Sequence, residues 1–159
     1  MKFDNLTPYQ RTILRRAARI IEGAVREQPD KYRITSPDVL RTYLMARLTS
    51  RQSEVFCVLF LDNRHKIIEF REMFQGTIGA ATVHPREVVK ACLEVNAAAA
   101  IFAHNHPSGV AEPSLADVEI TRKLAGALDL FDIRVIDHMI IGDNCATSLA
   151  ERGMLQNEA

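Results

Sequence analysis

Two apolar runs decide most of what this chain can fold into. Residues 53–61 (Ser-Glu-Val-Phe-Cys-Val-Leu-Phe-Leu) are wholly apolar once past Ser53 and Glu54, and residues 97–103 (Ala-Ala-Ala-Ala-Ile-Phe-Ala) carry no polar side chain at all. Each has the length of a strand. A strand that is apolar on both faces must be covered on both faces, so the runs predict a sheet held between helices. Their ends are the polar exceptions. Glu54 stands at the mouth of the first, and the second runs straight into His104-Asn105-His106-Pro107-Ser108-Gly109.

The rest of the chain supplies the covering layers. Thr7-Pro8-x-Gln10 reads as a capped helix start, and Ile13, Leu14, Ala17, Ile20, Ile21, Ala24 and Val25 follow at helical spacing. Arg11, Arg15, Arg16, Arg19 and Arg26 lie on the other side of that wheel. A charged helix face is more often solvated than a binding surface; contact with nucleic acid or another partner is the alternative. After a connector near Pro29, Ser36-Pro37-Asp38 opens a second helix reaching about Thr49, with Val39, Leu40, Tyr43, Leu44 and Leu48 inward. Asp62-Asn63-Arg64-His65 reads as a hairpin turn into a strand over 66–74, and Gly76 and Gly79 punctuate the stretch up to Val83. Pro85 begins a helix that ends near Asn96. Ser114 caps a helix to about Leu130, and 133–136 with 139–141 form a strand pair or one bent strand. Ser148-x-x-Glu151 suggests a last short helix ending at Gly153. Helices and strands in this mixed order indicate an α/β sheet that is not all parallel.

The chemistry collects at the end of the second apolar run. Side chains at i and i+2 of a strand share a face, so His104 and His106 project together. Asp117 falls in the first turn of the helix that Ser114 opens. Two imidazoles and one carboxylate give three protein ligands, which suits a catalytic zinc with its fourth position left to water. Each residue has a plainer reading: the histidines as packing, Asp117 as half of a capping box, Ser114 as a helix cap. So polar a cluster directly after a core strand would, however, need partners there. Three rival metal patterns fail. His-x-His-x-Asp-His is broken by Pro107-Ser108, the Pro-Cys-x-x-Cys of zinc deaminases is absent, and an amidohydrolase barrel needs about 200 residues or more.

At 159 residues the chain is expected to be one domain. Twenty basic residues balance twenty acidic ones, so composition points to no polyanionic partner, although residues 1–50 hold ten basic against five acidic. The N-terminus has no apolar leader and no apolar run approaches eighteen residues. Cys57, Cys92 and Cys145 are odd in number and scattered, as reduced and mostly buried thiols would be. A cytoplasmic protein with no membrane partner is the expectation.

The blocks Val83-His84-Pro85-Arg86-Glu87, His104-Asn105-His106-Pro107-Ser108-Gly109, Pro113-Ser114-x-x-Asp117 and Asp137-His138-x-Ile140-Ile141-Gly142 closely resemble the RadC-like branch of the MPN/JAB superfamily, which carries the JAMM motif. The resemblance implies an MPN/JAB (cytidine-deaminase-like) mixed sheet flanked by helices over 35–159, preceded over 1–34 by the amphipathic helix as an extension. It also implies that His104, His106 and Asp117 bind one zinc ion per chain, that Glu54 is the acid/base and that Ser114 supports the oxyanion. The activity implied is a zinc metallopeptidase or isopeptidase attacking an amide carbonyl of a peptide or protein substrate. The alternative is a non-enzymatic DNA-associated or scaffold module of RadC type using the basic N-terminal helix, in keeping with that family's repair label. Isopeptidases of the superfamily usually place Ser or Thr between the histidines; Asn105 follows the RadC-like branch and bears on whether a ubiquitin-like protein is the substrate. His84 and His138 read as supporting or structural residues, and His65 as a turn residue.

Overall fold

Apolar residues that cannot face water on either side place their strands at the centre, and the observed sheet is built that way. The computed structural model describes residues 37–49, 51–76 and 82–155, with positions 7, 9, 12, 13 and 16 ahead of them. Helix α1 (Pro37–Leu48) leads into β1 (Val55–Leu61) and β2 (Ile67–Gln75). Helix α2 (Pro85–Glu94), β3 (Ala99–Asn105), helix α3 (Leu115–Asp129), β4 (Arg134–Ile141) and β5 (Ala146–Ser148) complete it. The five strands lie in the order β2-β1-β3-β4-β5. All neighbours are antiparallel except β3 and β4, which run parallel, with α3 as their connection. The fold is a single α/β unit with a mixed sheet.

Every residue of β1 and β3 is buried, because alternate side chains enter two different cores. On one side Cys57, Leu59, Leu61, Ile101 and Ala103 meet Leu40, Leu44 and Leu48 of α1. On the other, Phe56, Val58, Phe60, Ala100 and Phe102 meet Val88, Ala91 and Cys92 of α2 and Leu124 and Leu128 of α3. Ala100 leaves room in that second layer, where two helices approach one sheet face, while Ala99 and Ala103 lie on the α1 side.

Strand β4 does not alternate strictly, and this matters for the site. Val135 packs in the α2/α3 core, while Ile136, Met139 and Ile141 pack on the α1 side. A register shift lies between Ala100↔Val135 and Ile101↔Asp137. The extra residue reverses the phase of the strand, the usual effect of a β-bulge. From there on, His138 faces the α2/α3 layer, edge-on to Phe102 with ring centroids 5.8 Å apart.

Several expectations need correction. The C-terminal segment forms β5 and then turns, not a helix. Ser148 Oγ does accept the Glu151 N–H (3.0 Å), so the cap is real. The Asp137 carboxylate takes the Ala150 N–H and the Ser148 hydroxyl, however, and Gly153 turns to positive φ, which stops propagation after one turn. Residues 134–141 are one bent strand. Val39, expected inward, is 61% exposed, since α1 turns the Leu40-Leu44-Leu48 line to the sheet, with Tyr43 and Met45 beside it. The N-terminal amphipathic helix and the stretch around Gly79 lie mostly outside the described residues; Tyr9, Thr12, Ile13 and Arg16 are helical and exposed, including Ile13, which was expected on the inner face. Asn96 ends α2 in the left-handed region (φ 53°), as its sequence position suggested. Among the described residues no helix is long and apolar enough to cross a membrane.

The thiols give a direct check of this core. Cys57 and Cys92 are buried and Cys145 is exposed. Burial pushes the Cys57 thiol up to about 12 and that of Cys92 up to about 11, so neither supplies thiolate at neutral pH. A disulfide reagent should therefore titrate one thiol per native chain at Cys145 and all three after unfolding. Rapid reaction of Cys57 in the native protein would contradict the packing of β1.

Candidate metal centre

His104 is the penultimate residue of β3 and His106 follows the strand directly, its N–H held by the Ile141 carbonyl (2.9 Å). The chain then turns sharply. Gly109 has φ of 81°, and a Cβ there would collide with the Asp143 carboxylate. A Cβ on Gly142 would collide with the Gly109 carbonyl oxygen. Gly109 is needed for its dihedral angle and Gly142 for space against the main chain. This packing sets the loop on the end of β4 and delivers the chain to Ser114, the N-cap of α3.

The capping box at Ser114 forms in full. Ser114 Oγ accepts the Asp117 N–H (3.2 Å), and Asp117 Oδ2 accepts both the Ser114 N–H and the Ser114 hydroxyl proton (2.7 Å each). The box therefore aims a nearly buried carboxylate, 8% exposed, back at the end of β3. Asp117 Oδ1 lies 3.1 Å from His104 Nε2, and Oδ2 lies 3.4 Å from His106 Nε2. The two Nε2 atoms are 3.0 Å apart. Each of the three residues offers one ligand atom, and those atoms lie within 4.8 Å of one another. The structure thus brings together His104, His106 and Asp117 as a group that could hold a metal ion.

Donor chemistry fits the same purpose. His106 Nδ1 is 2.8 Å from the Val110 carbonyl oxygen, which can only accept, so Nδ1 carries the proton and Nε2 of the neutral ring carries a lone pair. Lone pairs and a carboxylate at such separations repel unless a cation sits among them. A metal ion or a proton can take that place. Hydrogen bonding to Asp117 raises the pKa of His106 above its usual 6.5 against the opposing effect of burial, with the Val110 carbonyl and the charges of Asp117 and Glu54 adding to the rise. Burial alone would raise Asp117, but its contacts with the imidazoles and with Ser114 prevail and hold the carboxyl far below the ordinary range.

Glu54 is half-buried one residue ahead of β1, near enough for its charge to act on His106. It is positioned from an unexpected quarter. Asn105 Oδ1 accepts the Val55 N–H (2.9 Å) and Asn105 Nδ2 donates to the Ser53 carbonyl (3.1 Å), so one buried amide clamps the main chain on both sides of Glu54. Sequence reading noticed that Asn105 lies outside the ligand set but not that it holds the carboxylate-bearing segment. His138 is fully buried beneath His104, with Nε2 2.8 Å from His104 Nδ1 and Nδ1 2.5 Å from Thr121 Oγ1. Burial, together with the neighbouring imidazoles, drives the His138 pKa well below 6.5. Thr121 was missed by the sequence reading; its one trace is that it stands four residues after Asp117 on the same helix face. His84 is the exposed N-cap residue of α2, its ring edge-on to Phe74 at 5.9 Å, and makes no side-chain cap. His65 occupies the hairpin turn at φ 59°.

This geometry has two measurable outcomes. Asn105→Ala strands the buried Val55 N–H and releases the part-buried Ser53 carbonyl, which should lower stability by about 1–3 kcal/mol, chiefly for the N–H left without water, read by chemical denaturation. His106 has its pKa raised on folding, so its contribution to stability is complete below about 6.5 and fades as pH rises through the elevated value. With chelator present, Tm should fall as pH climbs from 6.5, and His106→Gln should flatten that slope; an unchanged slope in the variant would assign it elsewhere.

Comparison with known sequences agrees with this arrangement. The profile of the family described as RadC-like JAB domain matches residues 34–154. The UPF0758 protein of Cellvibrio japonicus is 60% identical over 122 residues, covering 77% of this chain and 54% of that protein. That of Marinobacter nauticus is 57% identical over 139 residues, covering 87% of this chain and 61% of the relative. That of Vibrio cholerae is 58% identical over 122 residues, 77% of each. The chain spans little more than half the length of the first two. With the family profile laid over every element of the sheet and over all three residues of the metal group, this chain belongs to the RadC-like JAB domain family.

Proposed function

We propose that the chain is a zinc-dependent hydrolase of the JAMM type, a metallopeptidase or isopeptidase acting on a peptide or protein. The observation that carries this reading is the convergence of His104 Nε2, His106 Nε2 and the Asp117 carboxylate at the end of β3, beside a carboxylate that is not needed as a ligand. His104, His106 and Asp117 would hold the ion. Zinc bound by two imidazoles and a carboxylate supplies a Lewis acid and lowers the pKa of water from about 15.7 to about 7.

Glu54 then has the work of one carboxylate beside that centre: it accepts a proton on the attacking side and returns it to the leaving amine. The Asn105 clamp fixes the main chain from which Glu54 reaches. Ser114 is the residue whose role the geometry narrows. Its hydroxyl proton lies on Asp117 Oδ2 and its oxygen takes the Asp117 N–H, so stabilising an oxyanion requires it to turn that proton away from Asp117. Ser114 is thus first a cap that aims a ligand, and a catalytic donor only once its proton is released. The alternative, a DNA-associated or scaffold module, rests on basic residues 11–26, which lie mostly outside the described residues; no contact in the described fold favours it.

Elemental analysis of chain purified without chelator or added metal tests the reading. About one zinc per wild-type chain and little in folded His104→Ala are expected. Glu54→Gln should keep its zinc while turnover of any amide substrate found by screening falls roughly 10²–10⁴-fold. Loss of zinc from a folded Glu54→Gln would make Glu54 a ligand. A wild-type chain that neither carries nor takes up zinc would sink the proposal, and salt-sensitive DNA binding by that same chain would bring the alternative forward.

A further inference from the structure

We infer that Thr121 and His138 are positioning residues that fix the tautomer of His104, through a hydrogen-bond chain anchored on the main-chain carbonyl of Asp117. The inference rests on the metal reading above and concerns residues that touch neither the ion nor a substrate.

The direction of each hydrogen bond is set by the one before. Thr121 Oγ1 is 2.5 Å from the Asp117 carbonyl oxygen and 2.5 Å from His138 Nδ1. A carbonyl can only accept, so the single hydroxyl proton goes to Asp117. Thr121 Oγ1 then has only lone pairs to offer His138, and His138 Nδ1 must carry a proton. A charged ring would be buried at 0% exposure between Phe56 and Phe102, and among the described residues its ring nitrogens meet only His104 and Thr121, not a carboxylate, so the ring is neutral and Nε2 has the lone pair. His104 Nδ1, 2.8 Å away, makes a bond only if it is the donor. With the proton on Nδ1, the Nε2 of His104 turns a lone pair toward His106 and Asp117.

Reversed wiring fails at both ends. If Thr121 donated to His138 Nδ1, two oxygens 2.5 Å apart would share no proton. His138 would then point Nε2–H at His104 Nδ1 and drive the proton of His104 onto Nε2, the atom that must bind. Ligating histidines commonly donate their second N–H to a carboxylate, carbonyl or water. His106 does so to Val110. His104 instead donates to a second imidazole, which can accept only because a threonine hydroxyl holds its other nitrogen protonated. The phenylalanine walls keep water from taking either place.

The test compares Thr121→Val, which keeps the shape and removes the hydroxyl, with Thr121→Ser, which keeps the hydroxyl. Zinc affinity is read by competition with a chromophoric chelator, fold by circular dichroism, and tautomers by long-range ¹H–¹⁵N spectra of the imidazoles. Thr121→Val should weaken zinc binding about 10–100-fold, Thr121→Ser should stay close to wild type, and His138 should be protonated at Nδ1 in wild type and Thr121→Ser. Equal losses in both variants would reduce Thr121 to packing and overturn the inference. So would undiminished affinity in folded Thr121→Val, or His138 protonated at Nε2 in wild type. Should wild type bind no zinc, the metal reading fails by itself, and the His138 tautomer, which needs no metal and no Thr121→Val, still decides this one.

Discussion

Everything at the site depends on the parallel register of β3 on β4. Phe102 pairs with His138 and His104 with Ile140, so the two histidines are diagonal neighbours on one face of the sheet, near enough for a ring-to-ring hydrogen bond. The bulge in β4 puts His138 on that face. Without the extra residue near Ile136, strict alternation would turn His138 toward α1, and a one-residue slip would do the same to every side chain after it. A local irregularity, not the regular pleat, therefore completes the support for His104. The parallel pairing also requires a crossover, and α3 is that crossover. The strand carrying the histidines and the helix carrying Asp117 are thus joined by the same topological step.

The result is a closed ring of contacts. It runs from the Asp117 carbonyl through Thr121 and His138 to His104, and from His104 Nε2 back to the Asp117 carboxylate. Asp117 takes part at both ends, through its main-chain carbonyl toward Thr121 and through its carboxylate toward His104. Ser114 restrains the same side chain from outside the ring. A cluster of acceptors gathered this tightly is unfavourable on its own. It persists because two rigid elements, a doubly buried strand and a capped helix, hold it from both sides, which is the arrangement a preorganised cation site needs.

Much of this was legible in the sequence because the signals were local. The doubly buried strands showed in the absence of polar residues over 55–61 and 97–103, the cap of α3 in Ser114-x-x-Asp117, and the group that could hold a metal ion in the two-residue spacing of His104 and His106 near that cap. What stayed hidden is non-local. His138 was visible only as part of a resembling block, since its contact with His104 exists only through the parallel register and the bulge. Thr121 looks like any inward residue of an amphipathic helix, and Asn105 like a spacer between two ligands, because the Val55 N–H it holds is fifty residues away. The C-terminal helix was misread for a related reason: Ser148-x-x-Glu151 does cap a turn, but the competing hold of Asp137 on Ala150 comes from another strand.

The placement of Asn105 closes the physical picture of the site. Along the end of β3 and just past it, successive side chains divide their work: His104 and His106 turn to Asp117, and Asn105, pointing the other way, takes hold of the start of β1. A residue there with only an acceptor or only a donor could satisfy the Val55 N–H or the Ser53 carbonyl, but not both. An amide, carrying an acceptor and a donor on one planar group, satisfies the two together. The distance between the His104/His106/Asp117 group and the segment bearing Glu54 is therefore set by these two hydrogen bonds together with the pairing of Phe56 and His104. The proton transfer proposed for Glu54 would depend on that distance being constant.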